Sequence, residues 1–247
     1  MDIRGFDRFS LVDYPGHISC IVFTGGCNYR CPFCHNACLV LDPASQPRVT
    51  EREFFHFLDQ RRGLLEGVVV SGGEPTLQPD LAEFLTSIRE RGMMVKLDTN
   101  GSRPAVVKQL LDAGCVNEFG IDFKAPSASY AEAVRCRDGE GAEAVRESIR
   151  LVLGSGVDLD VRTTVHRSLL SPEELAVMYR ELAELGVKRW FLQQFNPTEV
   201  LATGLEQRPT YTDRELARIA GELGPMAAVR GLHGAEIMVD PRRQGEN

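Results

Sequence analysis

The stretch "ISCIVFTGGCNYRCPFCHNAC", residues 18–38, passes from a short apolar run, which predicts a strand, into a loop holding four of the chain's seven cysteines. Cys27, Cys31 and Cys34 are spaced C-x3-C-x2-C, and on a loop such thiols can converge on one centre. Four chemistries compete for them. A structural zinc site wants four ligands, with His35 or Cys38 available as the fourth, but no second C-x2-C pair follows, because Cys115 and Cys136 stand alone. "CPFCH", residues 31–35, matches the haem-attachment pattern, which goes with export. A C-x-x-C redox dithiol would leave Cys27 without a role. An iron–sulfur cubane usually takes four thiolates, so three would leave one iron free to bind a reactant.

Outward from this stretch, the N-terminus "MDIRGFDRFS" has no apolar signal-peptide core, and no window approaches ~18 uninterrupted apolar residues. A cytoplasmic protein with no membrane association is expected. In a reducing cytosol a tight group of cysteines, seven in all, reads as metal-binding or catalytic rather than as a disulfide framework. The formal net charge of -7 argues against general affinity for nucleic acid. With 247 residues and 43% hydrophobic content, the chain suits a single α/β domain over 1–247, with a core at about 16–196 and a C-terminal extension at about 197–247.

Apolar runs alternate with helical patterns along the whole chain, the signal for repeated β-α units on a parallel sheet. Strands are predicted at 18–25, 67–73, 94–101, 117–126, 157–165 and 188–195, with "AEIMVD" (235–240) as a further terminal strand. Helices are predicted at 50–62, 79–92, 103–113, 141–154 and 172–186, and another opens at Thr212. Thr50 with Glu53, Ser171 with Glu174 and Thr212 with Glu215 have capping-box spacing, and Gly92 and Gly186 are placed as helix stops. Six such units fit either a doubly wound sheet or a barrel. In both, functional groups gather at the C-terminal ends of the strands. There the sequence places the cysteines, "SGGEPT", "DTNG", "DFK", Arg162 with Thr164, and "QQFNP".

"CNYRCPFC" resembles the C-x3-C-x-aromatic-C signature of the radical S-adenosylmethionine superfamily, and "SGGEPT" resembles that superfamily's second motif. The resemblance runs over roughly residues 1–196 and implies a partial (β/α)6 TIM-like barrel, one [4Fe-4S] cluster and S-adenosylmethionine. It also implies residue roles. Cys27, Cys31 and Cys34 would ligate the cluster; Gly72, Gly73 and Glu74 would approach the methionine amino group; and Lys124 would lie near its carboxylate. Phe33, His35 and Asn36 fall where family members contact the adenine, and Asp98, Thr99 and Asp122 resemble positions that hold a monovalent cation in pyruvate formate-lyase activase.

Each has an ordinary competitor. Phe33 can be core, His35 a solvated loop residue, Lys124 a surface amine, and Asp98 and Asn100 shapers of a turn. Arg162 can pair with Asp160 or Glu184, or hold a substrate loop's carbonyls. Cys20, Cys38, Cys115 and Cys136 are expected in the core.

"FTGGCNYRCPFCHN" and "LDTNG" resemble the activases of glycyl radical enzymes, and Asp13-Tyr14-Pro15-Gly16 resembles the group that activates anaerobic ribonucleoside-triphosphate reductase. The resemblance implies a glycyl radical enzyme as protein partner and a flavodoxin or ferredoxin as electron donor. The alternatives are an activase of another such enzyme, for instance pyruvate formate-lyase, a radical enzyme acting on a small molecule, and a zinc-stabilised interaction module.

Overall fold

The computed structural model describes residues 1–136, 141–198, 200–231 and 236–237. Its frame is one nine-stranded sheet whose spatial order follows the chain. The strands are β1 (Ile3–Ser10), β2 (Ser19–Thr24), β3 (Gly67–Gly72), β4 (Met94–Thr99), β5 (Glu118–Asp122), β6 (Asp158–Val165), β7 (Trp190–Gln194), β8 (Ala227–Arg230) and β9 (Glu236–Ile237). The helices are α1 (Ala37–Leu41), α2 (Glu51–Gln60), α3 (Leu81–Arg89), α4 (Pro104–Asp112), α5 (Tyr130–Val134), α6 (Ala142–Ser155), α7 (Pro172–Leu185) and α8 (Asp213–Leu223). Strands β2 to β8 pair in parallel, while β1 and β9 run antiparallel at the two edges. Among the described residues β1 and β9 do not pair with each other, so the sheet remains an open, partial barrel.

All six predicted parallel strands are present as β2 to β7. The seventh, β8, and the edge strand β1 are additions to that expectation. β1 reads "IRGFDRFS" and stays largely unburied, so it carries no alternating pattern, and β8 is only four residues of alanine, valine and arginine. Of the predicted terminal strand, only Glu236–Ile237 lies within the described residues. The short helices α1 and α5, one beside the cysteine loop and one before residues 137–140, span too few residues to show a helical period.

Helix starts follow local hydrogen bonding. The Thr50, Ser171 and Thr212 side chains each accept from the backbone N–H three residues on, and the glutamate there returns the bond, so all three capping boxes are formed. Gly186 closes α7 in the left-handed conformation, at φ 88°. The helix placed at 79–92 is shorter than expected: α3 ends at Arg89, and Gly92 turns the chain just beyond it at φ 81°. No helix among the described residues is long and apolar enough to cross a membrane.

The two faces of the sheet differ. One contiguous apolar cluster, from Met1 to Val229, fills the layer between sheet and helices, with Val68, Val70, Val95, Leu97, Phe119 and Ile121 fully buried in it. The inner face has only a small apolar group, Tyr14, Ile21 and Val69, with Phe23 and Met94 against it. The rest of the interior is charged, and that makes the site.

Candidate active site

Every residue singled out above as a candidate site residue lines one cavity of about 440 Å³ at the C-terminal ends of the strands. The cysteine loop leaves β2 and forms one wall. Cys31 is buried and Cys27 and Cys34 are half-buried. Burial, reinforced by the nearby Glu74 charge, pushes the Cys27 thiol up to about 12, and burial lifts Cys31 to about 11 even though Lys124 pulls it down. Burial raises Cys34 as well. Such thiols ionise readily only when a metal centre takes the thiolate, so loading the site releases protons. Among the described residues no three His, Cys, Asp or Glu side chains are grouped tightly enough to hold a single metal ion. A lone zinc draws its sulfurs to ~2.3 Å of one point, whereas a cubane offers each thiolate its own iron and keeps the three apart. Three cysteine thiols on one cavity wall supply the soft thiolate donors a cubane takes.

The glycines of "SGGEPT" meet a demand the sequence did not reveal. A Cβ at Gly73 would lie 1.9 Å from the Gly26 carbonyl oxygen, and one at Gly72 would lie 2.1 Å from the Thr24 backbone nitrogen. Both positions let the second loop lie directly on the cysteine loop. Hydrogen bonds from Gly73 N–H to the Thr24 carbonyl, 2.9 Å, and from Glu74 N–H to the Gly26 carbonyl, 2.8 Å, hold that contact. Asn36 Nδ2 completes it by donating to the Gly72 carbonyl at 3.0 Å.

Glu74, expected to approach the methionine amino group, also binds within the protein. It is fully buried, and Oε1 already accepts from Thr76 N–H at 3.0 Å, Thr76 Oγ1 at 2.5 Å and Thr99 Oγ1 at 2.6 Å, while Oε2 accepts from Asn100 N–H at 2.7 Å. Three of the four donors fall on Oε1, so the carboxylate is tied on that side and Oε2 keeps one acceptor site. Burial raises its pKa against the pull of those bonds. Glu74 is thus a brace between the loops after β3 and β4.

The opposite wall is an ion-pair chain across three strands. Arg162 on β6 reaches Asp98 on β4 at 3.0 Å and Asp122 on β5 at 2.7 Å, and Asp122 also holds Lys124 at 2.9 Å. Burial alone would raise the Asp122 pKa, but the charges of Lys124 and Arg162 outweigh it and hold the carboxyl well below its usual range. The same pairing raises Lys124 despite its burial. Arg162 therefore pairs with Asp98 and Asp122 rather than with Asp160 or Glu184, and its guanidinium is engaged rather than free for a substrate loop. Thr99 donates to Glu74, while Asp98 and Asp122, the other positions expected to hold a monovalent cation, pair with Arg162 and Lys124. Asp98 Oδ1 is the one oxygen of the set that is buried without a partner. The chain passes Gly120, where a Cβ would lie 2.3 Å from that oxygen.

Phe33 is buried, with the Lys124 ammonium 5.6 Å from its ring centre. His35 is exposed and its Nε2 donates to the Asn196 carbonyl at 2.8 Å, while its ring lies 5.4 Å from Phe195. Leu201 N–H and Ala202 N–H donate to the Cys34 and Pro32 carbonyls at 3.0 and 2.9 Å, so the segment after β7 straps the cysteine loop. Cys20 and Cys115 are core as expected; Cys38, expected in the core, is exposed. Asp7 and Asp13 also line the cavity, and Asp7 is brought there by β1, a strand the apolar pattern does not predict. The signal available was the acidic "DYPG" turn that follows it.

Residues 21–185 match the Radical SAM superfamily. A Methanocaldococcus jannaschii protein, provisionally named a glycyl-radical enzyme activating enzyme, is 30% identical over 238 residues, 94% of this chain and 97% of that one. The pyruvate formate-lyase-activating enzyme of Clostridium pasteurianum is 28% identical over 188 residues, 70% of this chain and 71% of its own. In fold, the chain superposes on Streptococcus suis SuiB with a TM-score of 0.62 at 16% identity, covering 85% of this chain and 48% of that one. A match across the parallel sheet, and a relative aligned along nearly its whole length, show that the chain belongs to the radical SAM superfamily, enzymes that use a [4Fe-4S] cluster and S-adenosylmethionine.

Proposed function

We propose that this enzyme generates a glycyl radical on a partner protein, and that the partner is an anaerobic ribonucleoside-triphosphate reductase. A [4Fe-4S] cluster held by Cys27, Cys31 and Cys34 would supply one electron to S-adenosylmethionine bound beside it, and the pair would provide the radical chemistry that removes a hydrogen atom from a glycine Cα. The chain's own residues hold these groups. Cys27, Cys31 and Cys34 carry the cluster. Lys124 offers an ammonium to the methionine carboxylate, kept protonated by Asp122. Backbone at Gly72 and Gly73 faces the methionine amino group, and Phe33, His35 and Asn36 border the adenine. The reading places the reaction in the reducing cytoplasm, with an electron from a flavodoxin or ferredoxin.

The single observation that carries this reading is that all these residues, drawn from the strand ends and loops of β2, β3 and β5, line one cavity. The near full-length likeness to a protein named as an activating enzyme supports the protein substrate. The Asp13-Tyr14-Pro15-Gly16 turn supports the reductase over pyruvate formate-lyase; Tyr14 is buried in the barrel base against Ile21 and Val69. The test is anaerobic incubation with dithionite and S-adenosylmethionine, alone and with each candidate partner. Release of 5′-deoxyadenosine with a glycine-centred EPR doublet only in the reductase is expected. A doublet only in pyruvate formate-lyase would move the partner. Deoxyadenosine with no radical on either would overturn the activase reading.

A further inference from the structure

Asn100, in the turn after β4, has a side chain whose orientation is fixed on every side. Its Oδ1 accepts from Ser102 N–H at 2.9 Å. A backbone N–H can only donate, so the carboxamide nitrogen must be the group on the other side. That Nδ2 carries two hydrogens and has two acceptors: Asn28 Oδ1 at 2.9 Å and the Cys27 sulfur at 3.9 Å. Asn28 is held in turn by donating to Ser102 Oγ at 2.8 Å. The network is closed, and Asn100 and Ser102 are both buried. The backbone N–H of Asn100 separately bonds Glu74 at 2.7 Å, so the position of the residue does not depend on its side chain.

Turn formation alone asks for none of this. An asparagine that only shaped the turn after "DT" would not need to send its donor to a cysteine of a different loop. The Cys27 sulfur also receives the Tyr29 N–H at 3.4 Å, from within its own loop; Asn100 adds a donor from β4's end. Hydrogen bonds to cluster sulfurs are among the levers that set reduction potential. The reduced cluster carries one more negative charge, part of it on the thiolate sulfurs, so a fixed donor stabilises the reduced form more than the oxidised one. We infer that Asn100 is a positioning residue that raises the reduction potential of the cluster by donating to Cys27, with Asn28 and Ser102 holding its carboxamide in place. This rests on the reading of Cys27 as a cluster ligand.

The test compares native protein with Asn100→Ala and Asn100→Asp, each reconstituted anaerobically, assayed for iron and sulfide, and titrated potentiometrically with the reduced cluster followed by EPR. Both variants keep the backbone bond to Glu74. The expected result is undiminished iron and sulfide with a more negative midpoint in both, larger for Asn100→Asp, which replaces the donor with a negative oxygen. A tenfold fall in the reduced-to-oxidised ratio at fixed potential corresponds to about 59 mV for one electron. In the native protein, exchange into deuterated buffer should also add a deuteron coupling to the reduced cluster that Asn100→Ala weakens. Unchanged midpoints in both variants would overturn the inference, as would loss of the cluster from both, because a tuning contact is not needed to hold it. Native protein that binds no iron or sulfide would instead overturn the assignment of Cys27 as a ligand.

Discussion

The same strand can serve two chemistries. In β4, Val95 and Leu97 point to the helices and lie in the apolar layer, while Lys96 and Asp98 point into the barrel. The outer face needs only apolar residues at the right period, and any of several would do. The inner face needs partners. Lys96, 1% exposed, is held by Glu118 at 3.0 Å, Asp160 at 3.4 Å and the Asp13 carbonyl at 3.0 Å. Asp160 is forked by Arg230, which also stacks 4.0 Å over Phe191. Above this base, Asp98, Arg162, Asp122 and Lys124 repeat the pattern at the cavity wall. One face is tolerant and local; the other is specific and assembled across strands.

The largest effect on activity lies at the cavity. Replacing Cys27, Cys31 or Cys34 singly by Ala should abolish 5′-deoxyadenosine formation and the cluster chromophore, whereas Cys38→Ala, at an exposed position, should leave both intact. For stability, the inner face should be the more brittle. Arg162→Met strands the Asp98 carboxylate, and breaking one partner of a buried pair costs about 3–5 kcal/mol. The double change Arg162→Met and Asp98→Leu should recover much of that, since Asp122 keeps Lys124 and no unpaired charge remains. Leu97→Ala on the outer face should cost about 2–5 kcal/mol as a cavity with no such rescue. Denaturant titration of the apoprotein checks all three, and a double variant no better than Arg162→Met would break the contrast. Gly120→Ala pushes a methyl into Asp98 and should cost about 1–3 kcal/mol by overpacking. The smallest effect is on pH. The folded state holds the Asp122 pKa below its unfolded value, so its stabilisation is complete above about pH 4 and is lost as pH falls toward the folded pKa. Asp122→Asn should flatten the acid limb of the stability curve, and an unchanged limb would argue that the ion-pair chain is not formed.

This contrast also explains what the sequence could convey. The outer face and the helix caps are local: Thr50 and Glu53 are three residues apart, and β3 is a bare apolar run, so both were legible. The cysteine spacing and the glycine loop were legible as a resemblance. What lay between strands was not. Arg162 finds Asp98 and Asp122 because β4, β5 and β6 are neighbours in a particular register, and nothing within the local sequence of any one strand states that pairing. The bracing role of Glu74 is not legible locally, because its four donors come from two loops. β1 was missed because an edge strand with charges on its open side lacks the alternation that betrays a buried one.

The central claim is that three thiolates hold one cubane whose remaining iron takes S-adenosylmethionine. EPR of the anaerobically reconstituted, dithionite-reduced protein, with and without S-adenosylmethionine, tests it most directly. The account predicts about four irons and four sulfides per chain and a cluster signal that changes when the cofactor is added. A signal indifferent to the cofactor, or stoichiometric zinc without sulfide, would contradict it.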